Sequence, residues 1–122
     1  MSRINPIPRP IKARSSVYDL KKRLDWGEPA LTIVDVRARE DYNSMRISGA
    51  IPMPMADLVS LAVASLEVER DIYVYGNTDE QSAEAADLLR EAGYKNIAVL
   101  VGGVPAWQVA SGATEGAYAT AA

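Results

Sequence analysis

The chain has 122 residues and not one cysteine or histidine among them. Without cysteine there is no disulfide, no thiolate nucleophile and no thiol redox couple. Without histidine the imidazole general base and the commonest ligand of zinc and haem are missing as well. Any catalysis would have to run on carboxylates, hydroxyls, lysine or tyrosine, and no cofactor or metal site is expected. No run of about 18 apolar residues is present to span a bilayer. The N-terminus carries Pro6, Pro8 and Pro10 with arginines where a secretory signal needs an apolar core. A cytoplasmic protein without a transmembrane segment is the expectation. With 48% hydrophobic residues the length suits one core and is too short for two.

Charge is spread unevenly along the chain. The net formal charge is −3, yet residues 1–23 hold seven Lys or Arg against Asp19 alone, and the remainder holds six against fifteen Asp or Glu. Two readings of the basic stretch compete. Arg3, Arg9, Lys12, Arg14 and the run Lys21, Lys22, Arg23 are either a solvated arm and helix face complementing the chain's own acidic body, or a docking surface for an acidic protein partner or an anionic membrane surface. Nucleic acid is not expected, because a pI near 4.9 without interleaved aromatic and basic residues is the wrong footprint.

Residues 1–10, spaced by prolines, read as an extended arm. Ile11 to Arg14 suits a short edge strand. Ser16 and Asp19 form a capping box ahead of Val17, Leu20 and Leu24 at helical spacing, predicting a helix from Val17 to about Asp25 closed by Gly27 and Pro29. Leu31 to Val36 is a compact β-branched run of the kind buried on both faces of a parallel sheet, and a helical turn near Arg39 to Asn43 and a short strand from Ala50 to Met53 follow. Leu58, Leu61, Ala62, Ser65 and Leu66 keep a period near 3.6, so Met55 to Leu66 reads as helix. Asp71 to Tyr75 is a buried strand. Thr78 and Gln81 make a second capping box, opening a helix rich in small residues that ends in a Schellman motif at Gly93, with Tyr94 against Leu89. A strand from Ile97 to Val101, a turn at Gly102 and Gly103, and a helix from Val104 to Val109 with Pro105 in its first turn complete the domain. From Gly112 the composition predicts a flexible tail, so the boundaries are an arm (1–10), a domain (11–111) and a tail (112–122). Strands alternating with helices predict an α/β fold with a mostly parallel sheet and helices on both faces.

Several segments in this order carry a resemblance over Ile11 to Ser111: Ile33-Val34-Asp35-Val36-Arg37, then Glu40-Asp41-Tyr42, then Ile47-Ser48-Gly49-Ala50-Ile51 with Pro54, then a strand, loop and helix, then Ala92-Gly93-Tyr94-Lys95-Asn96, and lastly Gly102 to Trp107. Together they resemble a single rhodanese-like domain. The resemblance implies a five-stranded parallel sheet with the active loop between its fourth strand and the next helix. It also implies that active members carry in that loop a cysteine, which accepts sulfane sulfur as a persulfide, and an arginine five residues later. Those positions fall here on Gly76 and Gln81; a family histidine falls on Arg46 and a loop glycine on Asp79.

The loop Gly76, Asn77, Thr78, Asp79, Glu80, Gln81 and Ser82 thus has no residue able to form a covalent sulfur intermediate, and the hydroxyls of Thr78 and Ser82 have no histidine to activate them. Thr78 and Gln81 are expected to cap the helix. Asp79 and Glu80 in its first turn complement the macrodipole and would repel the anions that active relatives attract. Asp35 and Arg37 either line a ligand crevice at the strand ends or form a structural pair that fixes the strand's exit. Arg46 is a candidate to neutralise Asp79 or Glu80 across the cleft. Trp107 and Trp26 are expected to pack in the core or at its edge ahead of serving as binding platforms, and Met45, Met53 and Met55 to fill core gaps ahead of marking a contact surface. The function this points to is a catalytically inactive rhodanese-like domain that binds a protein partner or regulates. The alternatives are a sensor of a small molecule or ion that uses the degenerate loop, and a residual sulfurtransferase working by unknown chemistry.

Overall fold

A run of β-branched and aromatic residues bounded by turn formers builds each central strand, and in the computed structural model, which describes residues 11–27 and 30–117, those strands form one parallel sheet. The elements in chain order are β1 (Arg14–Ser15), α1 (Val17–Asp25), β2 (Leu31–Asp35), α2 (Arg39–Ser44), β3 (Arg46–Ile47), β4 (Ile51–Pro52), a 3₁₀ turn (Met55–Asp57), α3 (Leu58–Ser65), β5 (Asp71–Tyr75), α4 (Asp79–Glu91), β6 (Ile97–Leu100), α5 (Gly103–Val109) and β7 (Thr114–Glu115). The five-stranded sheet has the order β1-β6-β5-β2-β4 and every pairing in it is parallel. The arm at residues 1–10, Pro29 and the end of the tail lie outside the described residues.

Because side chains alternate across a strand, the sheet divides its residues between two cores. Val34, Ile72, Val74 and Val99 pack with Leu58, Ala62, Ala85, Ala86 and Leu89, so α3 and α4 cover one face. Ile33, Tyr73, Tyr75, Ala98 and Leu100 pack with Val17, Leu20, Val104 and Trp107, so α1 and α5 cover the other. The alanines of α4 let it lie close to the strands.

Both capping boxes form at their N-caps. The Ser16 hydroxyl accepts from the Asp19 amide at 3.1 Å, and the Thr78 hydroxyl accepts from the Gln81 amide at 3.0 Å. The Schellman end of α4 has both of its bonds, from the Tyr94 amide to the Leu89 carbonyl and from the Gly93 amide to the Arg90 carbonyl, with Gly93 at φ +104°. The Tyr94 hydroxyl then donates to the carbonyls of Ala62 or Leu66, tying α4's exit to α3.

Two expectations need correction. Residues 112–117 are not a free tail: β7 pairs antiparallel with β3, the Trp107 indole donates to the Ala113 carbonyl at 2.8 Å, and the Ala117 amide reaches the Asn43 carbonyl. Small residues there signify close approach to other backbone and not fraying, since a β-carbon at Gly116 would lie 2.6 Å from the Ser44 carbonyl oxygen. Trp26 is not a packing residue either; it is 74% exposed, whereas Trp107 is buried. No described helix is long and apolar enough to cross a membrane.

Candidate functional site

Parallel strands in this sheet end together at β2 and β5, and the connections leaving those ends surround a cleft of about 250 Å³. Arg37, just past β2, Asp41, Ser44 and Met45 from the α2 region, Gly76 and Asn77 from the loop after β5, and Val104 and Pro105 from α5 line it.

One wall is a buried polar network. Asp35 is fully buried, and its carboxylate accepts from the Arg37 backbone amide at 2.9 Å and from the Arg37 guanidinium at 2.8–3.1 Å. The same guanidinium donates to the Met45 carbonyl, which fixes the end of α2. The Tyr75 hydroxyl donates to Asp35 at 2.7 Å and accepts from the Ile47 amide at 3.1 Å, so β5 is joined to β2 through the carboxylate and to β3 through the hydroxyl. Burial alone would lower the Arg37 pKa, but the hydrogen bonds and charge of Asp35 outweigh it and the pKa is raised. The Tyr75 hydroxyl is pushed well above its ordinary range, first by burial and then by the charge of Asp35. Asp35 and Arg37 are therefore a structural pair, and Arg37 lines the cleft as well.

The loop after β5 is closed on itself. The Gly76 amide donates to the Ser82 hydroxyl at 2.8 Å, and that hydroxyl donates to the Thr78 carbonyl at 3.0 Å. The Asn77 amide donates to the Gln81 side-chain oxygen at 2.7 Å. Gln81 thus reaches one residue beyond the N-cap amide that a capping box uses. In doing so its side chain fills the space over Gly76: a β-carbon there would lie 2.9 Å from both Cγ and Cδ of Gln81. Gly76 itself does not have a left-handed backbone, so side-chain volume and not φ is the obstacle.

The predicted acidic pair separates. Asp79 accepts from the Gly102 amide at 2.9 Å and so ties α4's first turn to the turn before α5, while Glu80 is exposed. Among the described residues no three His, Cys, Asp or Glu side chains are placed to hold a metal ion. Arg46 does not meet either carboxylate. It lies 4.4 Å from the centroid of the Tyr42 ring, donates to the Tyr42 carbonyl at 3.1 Å, and its Nε stands 3.5 Å from Glu115. The idea that it neutralises Asp79 or Glu80 fails because β7 brings Glu115 to it first. The roles of Tyr75 and Glu115 were missed. Tyr75 is legible only as a polar end to a buried strand, and nothing in sequence links Glu115 to Arg46.

Comparison with known proteins agrees with this geometry. A family model described as rhodanese-like domain matches residues 16–110. The solution structure of the rhodanese-like domain of an Anabaena protein superposes with a TM-score of 0.85 at 51% identity, over 88% of this chain and 82% of that one. An HTH-type transcriptional regulator of Mycobacterium tuberculosis is 35% identical over 94 residues, which are 75% of this chain and 40% of the regulator. A sulfurtransferase of Allochromatium vinosum is 30% identical over 88 residues, 72% of this chain and 80% of that protein. The chain spans less than half the length of several curated relatives that it matches.

Proposed function

The chain belongs to the rhodanese-like domain family, and we propose that it serves as a non-catalytic module that binds a protein partner or regulates one. One observation carries this reading: the side chain of Gln81 occupies the volume over Gly76 in which a side-chain nucleophile would stand. The rest of the loop supports it. The amides of Gly76, Asn77 and Gln81 are taken by Ser82, Gln81 and Thr78, so they do not converge on a vacant anion cradle. Asp79 and Glu80 add two carboxylates at a helix start, where the macrodipole would otherwise favour an anion. The buried network of Asp35, Arg37 and Tyr75 keeps the surrounding frame rigid, which suits a domain retained for its surface.

The relatives add a second support. In the HTH-type regulator and in a putative sulfur carrier protein of Bacillus subtilis the matched stretch is under half of the protein, so the fold works there beside other parts. A small molecule sensed by the loop would lie in the cleft that Gly76 and Asn77 line, whose 250 Å³ falls below the ~300–1,000 Å³ usual for such sites.

The test is thiosulfate-to-cyanide sulfur transfer by the purified chain, run beside Gly76→Cys, the double variant Gly76→Cys, Gln81→Arg and the triple variant that adds Asp79→Gly. The natural chain is expected to be silent and the double or triple variant to turn over, because a thiolate at a helix start is the reactive group the fold can stabilise. Turnover by the natural chain overturns the reading. Silence of all four leaves the natural chain non-catalytic and withdraws the assignment of Gly76 as the nucleophile position.

A further inference from the structure

Tyr18, Lys22 and Trp26 stand at i, i+4 and i+8, one ridge along the outer side of α1 and its C-cap. The two aromatics are 62% and 74% exposed, among the most exposed large apolar side chains described. Such rings, apolar in body with a polar tip, are enriched where proteins dock. Lys22 holds its ammonium 5.9 Å from the centroid of the Trp26 ring and has no carboxylate partner among the described residues. Its neighbours differ: Lys21 pairs with Asp25 at 3.4 Å, and Arg23 pairs with Asp71 at 3.0 Å. Lys12 and Arg14, both exposed, extend the positive charge beyond the Tyr18 end.

We propose that this ridge binds an extended, acidic segment of a partner protein, with an apolar residue, a carboxylate and a second apolar residue at alternate positions. The spacing carries the proposal. Four residues of helix rise ~6 Å, and two residues of an extended strand advance ~6.6 Å with their side chains on the same face. An apolar side chain against Tyr18 therefore puts a carboxylate two residues on at Lys22 and an apolar side chain four residues on at Trp26. Asp19 and Asp25, both exposed, flank Lys22 at i−3 and i+3, so a flat anionic membrane would meet both, whereas a narrow segment along the ridge with one carboxylate at Lys22 passes between them, and Asp25 is engaged by Lys21.

The proposal rests on the protein-binding reading above but not on the loop. Arg23 bonds Asp71, the first residue of β5, so the Trp26 end of α1 lies at the opposite end of that strand from Gly76.

The experiment is an NMR titration of the full chain with a synthetic nonapeptide, Ser-Ser-Leu-Ser-Glu-Ser-Leu-Ser-Ser, capped at both ends. A control peptide places the two leucines side by side. The chain has two indole N–H groups, one exposed and one buried and bonded to Ala113, so each titration carries its own reference. Expected are saturable shifts of the Trp26 indole and of amides 18–26 with Trp107 unmoved, at least tenfold weaker binding by Lys22→Glu, and several-fold weaker binding by Tyr18→Ala and Trp26→Ala. An unmoved Trp107 indole in each variant confirms that the fold persists. Absence of saturable shifts, equal binding of the control peptide, or indifference to Lys22→Glu overturns the proposal. Shifts produced only by vesicles containing phosphatidylserine overturn it in favour of a membrane. A natural chain silent in sulfur transfer that also ignores the peptide sinks the ridge alone; turnover in that assay sinks the non-catalytic reading instead.

Discussion

The side chain of Gln81 and the missing side chain of Gly76 compete for one volume. A β-carbon on Gly76 would stand 2.9 Å from Cγ and Cδ of Gln81, whose oxygen is already engaged by the Asn77 amide at 2.7 Å. With no left-handed φ to satisfy, Gly76→Ala should ordinarily stabilise by ~0.4–1 kcal/mol through the unfolded chain. Here the new methyl must displace Gln81 and break its bond to Asn77, a loss of ~0.5–1.5 kcal/mol. Gly76→Ala is therefore expected to be neutral or destabilising in the natural chain and stabilising in a Gln81→Ala background. Urea unfolding of the four proteins measures the coupling; additivity of the two substitutions would refute the competition.

Asp35 is the acceptor on which the cleft wall depends. It takes bonds from Arg37 and Tyr75 while itself fully buried, and the side chain of Arg37 is only 10% exposed. Removing the carboxylate leaves that guanidinium without its counter-charge. Asp35→Ala should cost ~3–5 kcal/mol, in the range for breaking a buried ion pair. A denaturation midpoint close to that of the natural chain would show the network to be dispensable.

The C-terminal segment offers a contrast between charge and backbone fit. Arg46 and Glu115 form a pair with Glu115 about half exposed, so Glu115→Gln should cost no more than ~1 kcal/mol. Gly116 has φ +125°, and a β-carbon there would press on the Ser44 carbonyl, which is backbone and does not yield. Gly116→Ala should cost ~1–3 kcal/mol, as strained positions do. Thermal unfolding of both variants decides; equal effects would mean that β7 is held by charge and not by fit.

These features differ in how far the sequence foretold them. The ends of α1, the strand from Asp71 to Tyr75 and the Schellman motif at Gly93 were legible because each depends on residues within a few positions: a cap hydroxyl, a β-branched run, a glycine. The loop was legible in its residue types, and Thr78 caps as expected. The destination of Gln81 was not, because it turns on which of two adjacent amides its oxygen reaches. Arg46 was misjudged for a different reason. Its partner Glu115 is 69 positions away on a two-residue strand too short to show alternation, and small residues that look like a frayed tail are the same ones that allow tight backbone contact. Exposure of Trp26 was likewise hidden, since helical spacing does not say which side of a C-cap faces solvent.

Tyr75 makes the stability of the fold depend on alkaline pH. Its hydroxyl is buried, donates to Asp35 and accepts from the Ile47 amide, and its pKa is raised from the ordinary value of 10.0, chiefly by burial and then by the Asp35 carboxylate. Below about pH 9 both folded and unfolded chains keep the phenolic proton, and the contribution of Tyr75 is fully present. Above pH 10 the unfolded tyrosine releases its proton while the folded one retains it, so the folded state binds more protons and stability falls, by up to ~1.4 kcal/mol per pH unit. Tyr75→Phe removes that dependence but also removes a donor from a buried carboxylate and an acceptor from a buried amide, a cost of ~1–3 kcal/mol at neutral pH. The natural chain should therefore exceed the variant by a constant margin from pH 6 to 9, and the margin should narrow above pH 10. Every other ionisable side chain is common to the two proteins, so the difference isolates Tyr75. A margin that stays constant to pH 11.5 in urea titrations would mean that the Tyr75 hydroxyl ionises in the folded chain as it does in the unfolded one.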